Sequence, residues 1–444
     1  MSEQQDWQSF RVGDLIVHHA SGPSPTCDER NVASPEEWGL LKTTAVTWNG
    51  WNPNEHKVPP SSFWGNSALE IHEGDVLITK AGPRERCGVS VYVLKTPERL
   101  MASGKMVLLR PDKSRINAVI LASALATEKS QRYLDSRTTG MADAQLNFTN
   151  ELLLGTQLEI PSLSEQEKIT KVLIAVDRLI EKTKALIAKY QAIKQGMMHD
   201  LFTRGVDKNG HLRPPYEQAP ELYKESVIGW IPEGWEVNKI SEIAMIIDPN
   251  PSHRYPSPVD VGVPILSTEN FDGPSGFDLK KASLVEEWVF EEQNKRCQFH
   301  EKDVVFARKG RLGFARPYGK ERKVFSHTVV LIKPLVGQAT HEYLLWLLQS
   351  AGVFEEIRHH MNSNSGVPTL GVEFLGNVRV AMPSTREQAL MANSLDALDA
   401  QIEAEKTNLV KQKKLKIGLM QDLLAGKIRV NTSVNPHRRL RFLK

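Results

Sequence analysis

Apolar residues return every three or four positions in two long runs of this 444-residue chain. The first run is Ile169, Leu173, Val176, Ile180, Thr183, Ile187, Tyr190, Lys194, Met197, Leu201; the second is Met391, Leu395, Leu398, Ile402, Glu405, Leu409, Gln412, Lys416, Leu419, Leu423. Alternating steps of four and three keep one stripe on one face of a helix, which is the seam of a coiled coil. The pattern therefore predicts two long helices, over residues 161–206 and 383–430. Both seams weaken at matched places, Thr183/Glu405 and Lys194/Lys416, and polar seam residues trade stability for register. Beside the first seam lie Val172, Leu179, Leu186 and Ile193, where the second run has Ser394, Gln401, Asn408 and Leu415. The first helix is thus expected to bury a wider face, against a further partner.

The polar letters carry more than the apolar ones. Residues Pro161 to Val206 recur without a gap as Pro383 to Ile428, and identities include Ser162/Ser384, Glu165/Glu387, Gln166/Gln388, Asp177/Asp399, Lys184/Lys406, Gly196/Gly418 and Asp200/Asp422. No generic amphipathic pattern demands such matches, so the chain reads as two halves. Pro161-Ser162 with Glu165, and Pro383-Ser384 with Glu387, read as helix starts closed by a capping box. Upstream, at an offset of 228, Trp7 aligns with Trp235, Leu15 with Ile243, and Glu73–Gly82 with Glu301–Gly310. Each of the last two segments reads as a turn, a short buried strand, a basic residue (Lys80 or Arg308) and a glycine turn. Thr139-Gly140 before Gln145-Leu146 parallels Ser365-Gly366 before Thr369-Leu370. Strands are expected at Met106–Leu109 and Val329–Ile332, helices at Ala118–Thr127 and Glu342–Ile357.

The resulting architecture is α+β. Two mixed α/β domains (1–160 and 230–382) are separated by two long coiled-coil helices, with an internal two-fold pseudo-repeat, a linker at 207–229 and a basic tail at 431–444.

Composition narrows the class without deciding it. The chain is 40% hydrophobic and 25% charged, with a net charge of +3, which is ordinary for a folded protein and neutral on the question of nucleic acid. Cys27, Cys87 and Cys297 are far apart and form no C-x-x-C pair, which points to a reducing compartment and away from structural zinc. His18-His19 and His359-His360 are adjacent rather than four apart, so no helix-face metal pair is expected. The polar start shows no signal peptide, and the longest apolar stretch, Ala118 to Ala126, is too short to span a bilayer. A cytoplasmic protein is expected, without membrane contact.

Catalysis is not expected of this chain. Arg213-Pro214-Pro215-Tyr216 resembles the Asx-Pro-Pro-aromatic motif of amino-methyltransferases, but arginine has no acceptor for the amino group. Asp303 with Glu321-Arg322-Lys323 matches a nuclease pattern only loosely. No P-loop, nucleophile elbow or H-E-x-x-H is present.

The linker R-G-V-D-K-N-G-H-L-R-P-P-Y, its continuation L-Y-K-E-S-V-I-G-W-I-P-E-G-W-E-V, the repeated P-S-x-x-E-Q openings and the domain–helix–domain–helix order resemble the specificity subunit of type I restriction-modification systems. The resemblance covers essentially the whole chain. It implies two target-recognition domains, each reading half of a split, asymmetric sequence in double-stranded DNA. It also implies helices that pair antiparallel and set the spacing. Two adenine methyltransferase subunits would dock on them, and motor and nuclease restriction subunits would join. No cofactor is then expected in this chain; S-adenosylmethionine, ATP and Mg belong to the partners. One departure is the short stretch ahead of Trp7, so no extra N-terminal helix is expected.

On that reading, the candidates for DNA contact are basic or small residues near glycine turns. They are Lys80, Arg84, Arg86, Thr139, Gly140 and Gln145 in the first domain, and Ser267, Thr268, Asn270, Arg308, Lys309, Arg311, Ser365, Gly366 and Thr369 in the second. The residues expected to hold the assembly are Ile169, Leu173, Val176, Ile180, Ile187, Leu395, Leu398, Ile402 and Leu409. The rival reading is a two-domain coiled-coil adaptor that binds proteins. Salt-dependent affinity for duplex DNA separates the two.

Overall fold

The computed structural model describes residues 7–139, 146–273, 276–361 and 369–430. The chain divides into two units: residues 1–184 with 407–444, and residues 185–406.

In the first unit the short apolar runs become strands: β1 (Trp7–Arg11), β2 (Ile16–Ala20), β3 (Val76–Thr79), β4 (Ser90–Tyr92) and β5 (Met106–Pro111). The main sheet runs β2-β5-β3-β4 and is antiparallel. Strand β3 is buried along its whole length, as expected of a strand covered on both faces rather than an alternating edge. Helix α1 (Ala118–Leu125) packs on this sheet and is capped by Asn117, whose side chain accepts from the Val119 N–H. The helix expected through Thr127 ends earlier because Thr127 itself caps a second helix, α2 (Glu128–Asp135). Strand β6 (Gln157–Pro161) pairs antiparallel with β1, Trp7 opposite Pro161, and leads into the long helix α3 (Leu163–Thr203).

In the second unit, the segment expected to be a plain linker carries structure of its own. There Tyr223–Ser226 (β7) and Gly229–Pro232 (β8) form a hairpin. Next come β9 (Glu236–Lys239), β10 (Ala244–Ile247), β11 (Val304–Ala307), β12 (Ala315–Pro317) and β13 (Val329–Pro334). Its main sheet runs β10-β13-β11-β12, the strand order of the first unit's sheet. Helix α4 (His341–Leu347) follows, and the helix expected through Ile357 breaks. Gln349 and Ser350 bond back to the carbonyls of Trp346 and Leu347, a tighter turn, before a second helix over Ala351–Met361. Strand β14 (Arg379–Met382) pairs with β9 and leads into α5 (Thr385–Leu424).

Within each unit the helices run antiparallel. In the first, Ile169 and Leu173 of α3 share a core with Leu423 and Leu424 of α5, and Lys416 pairs with Asp177 at 2.6 Å. In the second, Leu201 shares a core with Met391 and Leu395, Tyr190 bonds to Gln401 at 2.6 Å, and Lys194 pairs with Asp399. Lys194 and Asp399 are the sequence mates of Lys416 and Asp177, so one contact is made twice with the helices exchanging roles. Of the expected seam, Ile169, Leu173, Ile180, Ile187, Leu395 and Ile402 are buried, while Val176, Leu398 and Leu409 are half-buried. Leu179 and Ile193, beside the seam, stay 48% and 41% exposed.

The repeated glutamine and glutamate have specific partners. Gln166 accepts from the Asn117 N–H (2.9 Å) and donates to the carbonyls of Arg115 and Pro161. Gln388 accepts from the Thr340 N–H (3.1 Å) and donates to the carbonyls of Gln338 and Pro383. Asn117 and Thr340 are the caps of α1 and α4. Each long helix thus satisfies a backbone donor that its domain's helix leaves open. The capping-box expectation needs correction: Ser384 does accept from the Glu387 N–H, but the Glu387 carboxylate takes Arg213 (two-pronged), the Val206 N–H and the Trp235 indole. Glu165 likewise turns to Lys168 and the Val430 N–H. These carboxylates tie one helix start to the chain leaving the other helix. Gly205, at φ 62°, sits so close to this knot that a Cβ would lie 2.4 Å from the Trp235 ring, which excludes any other residue. Arg213 of the Arg-Pro-Pro-Tyr run is therefore a structural tie.

Candidate nucleic-acid interface

In the second unit, β11 leaves the sheet at Arg308, and the chain turns through Gly310 and Gly313 at φ 77° and 79°. The turn meets two other segments. Lys309 forms a bridge with Thr369, and Leu370 donates to the Arg308 carbonyl at 2.8 Å. Arg311 donates to the Phe271 carbonyl at 3.2 Å, and Thr268 donates its N–H to Thr328 Oγ1 at 3.1 Å. Residues separated by about a hundred positions in sequence thus gather at one end of the sheet.

Their exposure differs sharply. Lys309 is half-exposed, and Arg311 and Thr369 are exposed. Arg308 is not: its side chain is 7% exposed and pairs with Asp248 at 2.7 Å. Its Nε donates to the His327 carbonyl and its Nη2 approaches His253 Nε2 at 3.3 Å. Thr268 and Asn270 are buried as well, and Asn270 Oδ1 accepts from the Ser267 N–H to close the local turn. Three of the second domain's candidates therefore shape the surface from beneath. His327 has its pKa lowered by burial first, then by His253, Lys309 and Arg308 nearby.

The first unit builds the corresponding place with other chemistry. Lys80 follows β3, and its Nζ donates to Ser21 Oγ (3.1 Å) and Asn150 Oδ1 (3.3 Å). Phe148 donates to the Lys80 carbonyl, as Leu370 does to that of Arg308. Arg84 pairs with Asp135 of α2, Arg86 is exposed, and Thr139 bridges to Asn147. A cleft of about 250 Å³ lies here, lined by Trp48, Arg84, Cys87, Gln131, Asp135 and Phe148. Burial pushes the Cys87 thiol up to about 11 and Cys297 up to about 12, so neither is an activated nucleophile. Gly140, Gln145, Ser365 and Gly366 lie outside the described residues, as do residues 1–6 and 431–444.

Asp303, the first letter of the loose nuclease pattern, is fully buried and pairs with Lys333 at 3.0 Å. Lys323 is buried over the Tyr318 ring at 4.4 Å. Sequence reading missed Asp248, His253 and His327, and Ser21 and Asn150, the partners of the two cations. The only signal was that each unit's first sheet strand ends in a loop rich in proline or serine. No helix among the described residues is long and apolar enough to cross a membrane.

A DNA-facing class of protein is what this geometry suits: two α/β units, each with a cation-bearing glycine turn at a sheet end, joined to paired long helices. Known proteins of similar sequence and fold agree with that class. Residues 232–412 match the family model described as type I restriction modification DNA specificity domain. The specificity subunit of the EcoEI type I restriction enzyme of Escherichia coli is 31% identical over 193 residues, which is 44% of this chain and 32% of that one. The MjaVIII specificity subunit of Methanocaldococcus jannaschii is 25% identical over 436 residues, covering 96% and 94%. Among solved structures, the type I system S subunit from M. genitalium superposes with a TM-score of 0.53 at 14% identity, covering 95% of this chain and 97% of that one. A chain from work on complex assembly and conformational transition of the type I system gives 0.54 at 14%, covering 96% and 100%. Residues 232–412 thus match a type I DNA specificity domain, and the chain is similar to type I specificity subunits along nearly its whole length.

Proposed function

We propose that this chain is the non-catalytic, sequence-specific DNA-binding subunit of a cytoplasmic type I restriction-modification complex. It reads a bipartite, asymmetric target, one half with each unit. It docks two adenine methyltransferase subunits, together with the motor and nuclease restriction subunits. S-adenosylmethionine, ATP and Mg act on those partners. The target-recognition domains are residues 1–160 and 230–382, and the helices form an antiparallel coiled coil that carries an internal two-fold pseudo-repeat.

One observation carries this reading: Lys194–Asp399 and Lys416–Asp177 are the same ion pair with the helices' roles exchanged. A frame that repeats its contacts, while the turns it holds differ in chemistry, suits one task performed on two different half-sites. Lys309, Arg311 and Thr369, with Arg84, Arg86 and Thr139, supply the DNA contacts; Lys80 and Arg308 hold the loops. Leu179 and Ile193 supply apolar surface for the partners.

The test is binding of the assembled complex to duplex DNA across a salt series. Affinity should fall steeply and linearly on a logarithmic scale as counterions are released, with one sequence preferred. Failure to prefer any duplex would favour the protein-binding adaptor instead.

A further inference from the structure

The loop that follows β10 is held in place more firmly than an exposed loop requires. Asn250 Nδ2 donates to the Arg254 carbonyl at 2.9 Å, its Oδ1 accepts from Ser252, and Arg296 donates to the Pro249 carbonyl. At the centre of the loop, His253 adopts φ 56°. This left-handed conformation is uncommon for any residue but glycine, and such strain gathers at functional sites. His253 stacks on His327 with ring centroids 4.8 Å apart, and Tyr255 meets the same ring edge-on at 5.7 Å. Yet His253 is exposed and Tyr255 is 55% exposed. Beneath them, His327 Nδ1 is buried without a hydrogen bond among the described residues. Two large side chains are thus presented outward in a fixed geometry, beside Lys309, over a polar atom left unsatisfied.

The tautomer of His253 follows from its neighbour. An arginine only donates, so the contact between Arg308 Nη2 and His253 Nε2 at 3.3 Å makes Nε2 the acceptor. The neutral ring then carries its hydrogen on Nδ1. An exposed, oriented N–H donor is complementary to the acceptors that purines show in the major groove, N7 of either purine and O6 of guanine. A tyrosine beside it offers an apolar face to a thymine methyl and a hydroxyl to a base edge. Rigid aromatic side chains also bind with little loss of conformational freedom.

We propose that His253 and Tyr255 are specificity-determining residues of the second unit. His253 donates from Nδ1 to a purine acceptor, Tyr255 packs on the neighbouring base, and Arg308 is the positioning residue that holds their loop. This inference rests on the DNA-reading function proposed above and adds residues that the basic-turn pattern does not include.

The test uses the full complex and two readouts: the sequence context of methylated adenines in cells, and competition between duplexes that differ at single positions. His253→Gly removes the imidazole while accepting φ 56° freely, so folding is preserved. It should relax one position of one half-site, lowering discrimination there on the order of tenfold, and leave the other half-site unchanged. His253→Asn, which tolerates the same conformation and keeps an N–H donor, should retain part of the preference. Arg308→Lys should relax the same position as His253→Gly, which a general loss of stability would not do. Tyr255→Ala should relax a position adjacent to it. An unchanged motif in all variants, or an equal loss of affinity for every duplex, overturns the proposal while the DNA-reading function stands. A wild-type complex that methylates no bipartite motif would remove both.

Discussion

Lys80 and Arg308 occupy matched positions after the central strands of the two units and keep a matched backbone bond, but their side chains meet different partners. Lys80 is half-exposed and held by two neutral oxygens, from Ser21 and Asn150. Arg308 is buried, neutralised by the Asp248 carboxylate and flanked by an imidazole. The first arrangement leaves the cation's field at the surface. The second consumes it internally and hands the surface to Lys309, Arg311 and the residues of the 248–255 loop. The paired helices behave in the opposite way, repeating even their hydrogen bonds. Positions that hold the frame are thus kept in kind, while positions at the sheet end change their electrostatics.

The largest effect of a substitution should fall at the seam, where the two halves are alike. Ile180→Arg and Ile402→Arg are mates, 5% and 2% exposed, and each would bury an unpaired charge at a cost of several kcal/mol. Both should abolish assembly with the methyltransferase to a similar degree, as read by co-purification. Assembly at wild-type affinity by either variant would refute the seam.

The next effect should be unequal between the units. Asp248→Ala strands the buried Arg308 guanidinium and should cost about 3 kcal/mol in denaturant unfolding of the second unit. Its counterpart Ser21→Ala removes one hydrogen bond to a solvated ammonium and should cost about 1 kcal/mol or less. Equal losses would mean that the two cations are not held differently after all.

Gln166→Ala and Gln388→Ala should be equal again. Each leaves a half-buried backbone N–H open, at Asn117 or Thr340, for about 1 kcal/mol. Smaller still is the ion pair: Lys194→Met should lose about 1 kcal/mol or less, since both partners are about a fifth exposed. That loss should shrink in high salt.

The pH dependence has a definite sign. His327 is held neutral in the folded state, its pKa lowered from the ordinary 6.5 by burial and by the neighbouring His253, Lys309 and Arg308. Well above 6.5 both states are neutral and nothing is lost. As pH falls below 6.5 the unfolded chain gains a proton that the folded one resists, so stability declines until the folded pKa is reached. Melting of wild type and His327→Gln between pH 7.5 and 5 should converge at the acid end.

Much of the frame was legible in the sequence because it is local or repeated. The four-three spacing marked both helices, which run Leu163–Thr203 and Thr385–Leu424 inside the expected 161–206 and 383–430, and Gln166/Gln388 stood out because nothing in an amphipathic pattern calls for glutamine there. The strand at Val76–Thr79 was visible as an apolar run between turns. The site was less legible. Arg308, Lys309 and Arg311 look alike in sequence, and only a carboxylate sixty residues upstream separates the buried cation from the exposed ones. Asn270 looked like a donor for DNA and instead closes its own turn. Glu387 sat where a capping box predicts, yet the fold brings Arg213, Val206 and Trp235 within its reach and they outcompete the cap. Burial and long-range pairing decide these roles, and neither has a local signature.

If two units on one frame each read one half of a split site, each half of that site can be changed alone. The decisive experiment exchanges the second variable segment, about Trp230 to Val380, for that of a type I specificity subunit and sequences the methylated adenines made by the assembled complex. One half of the bipartite motif should change while the other half is kept. A motif that changes in both halves, or in neither, would contradict this expectation.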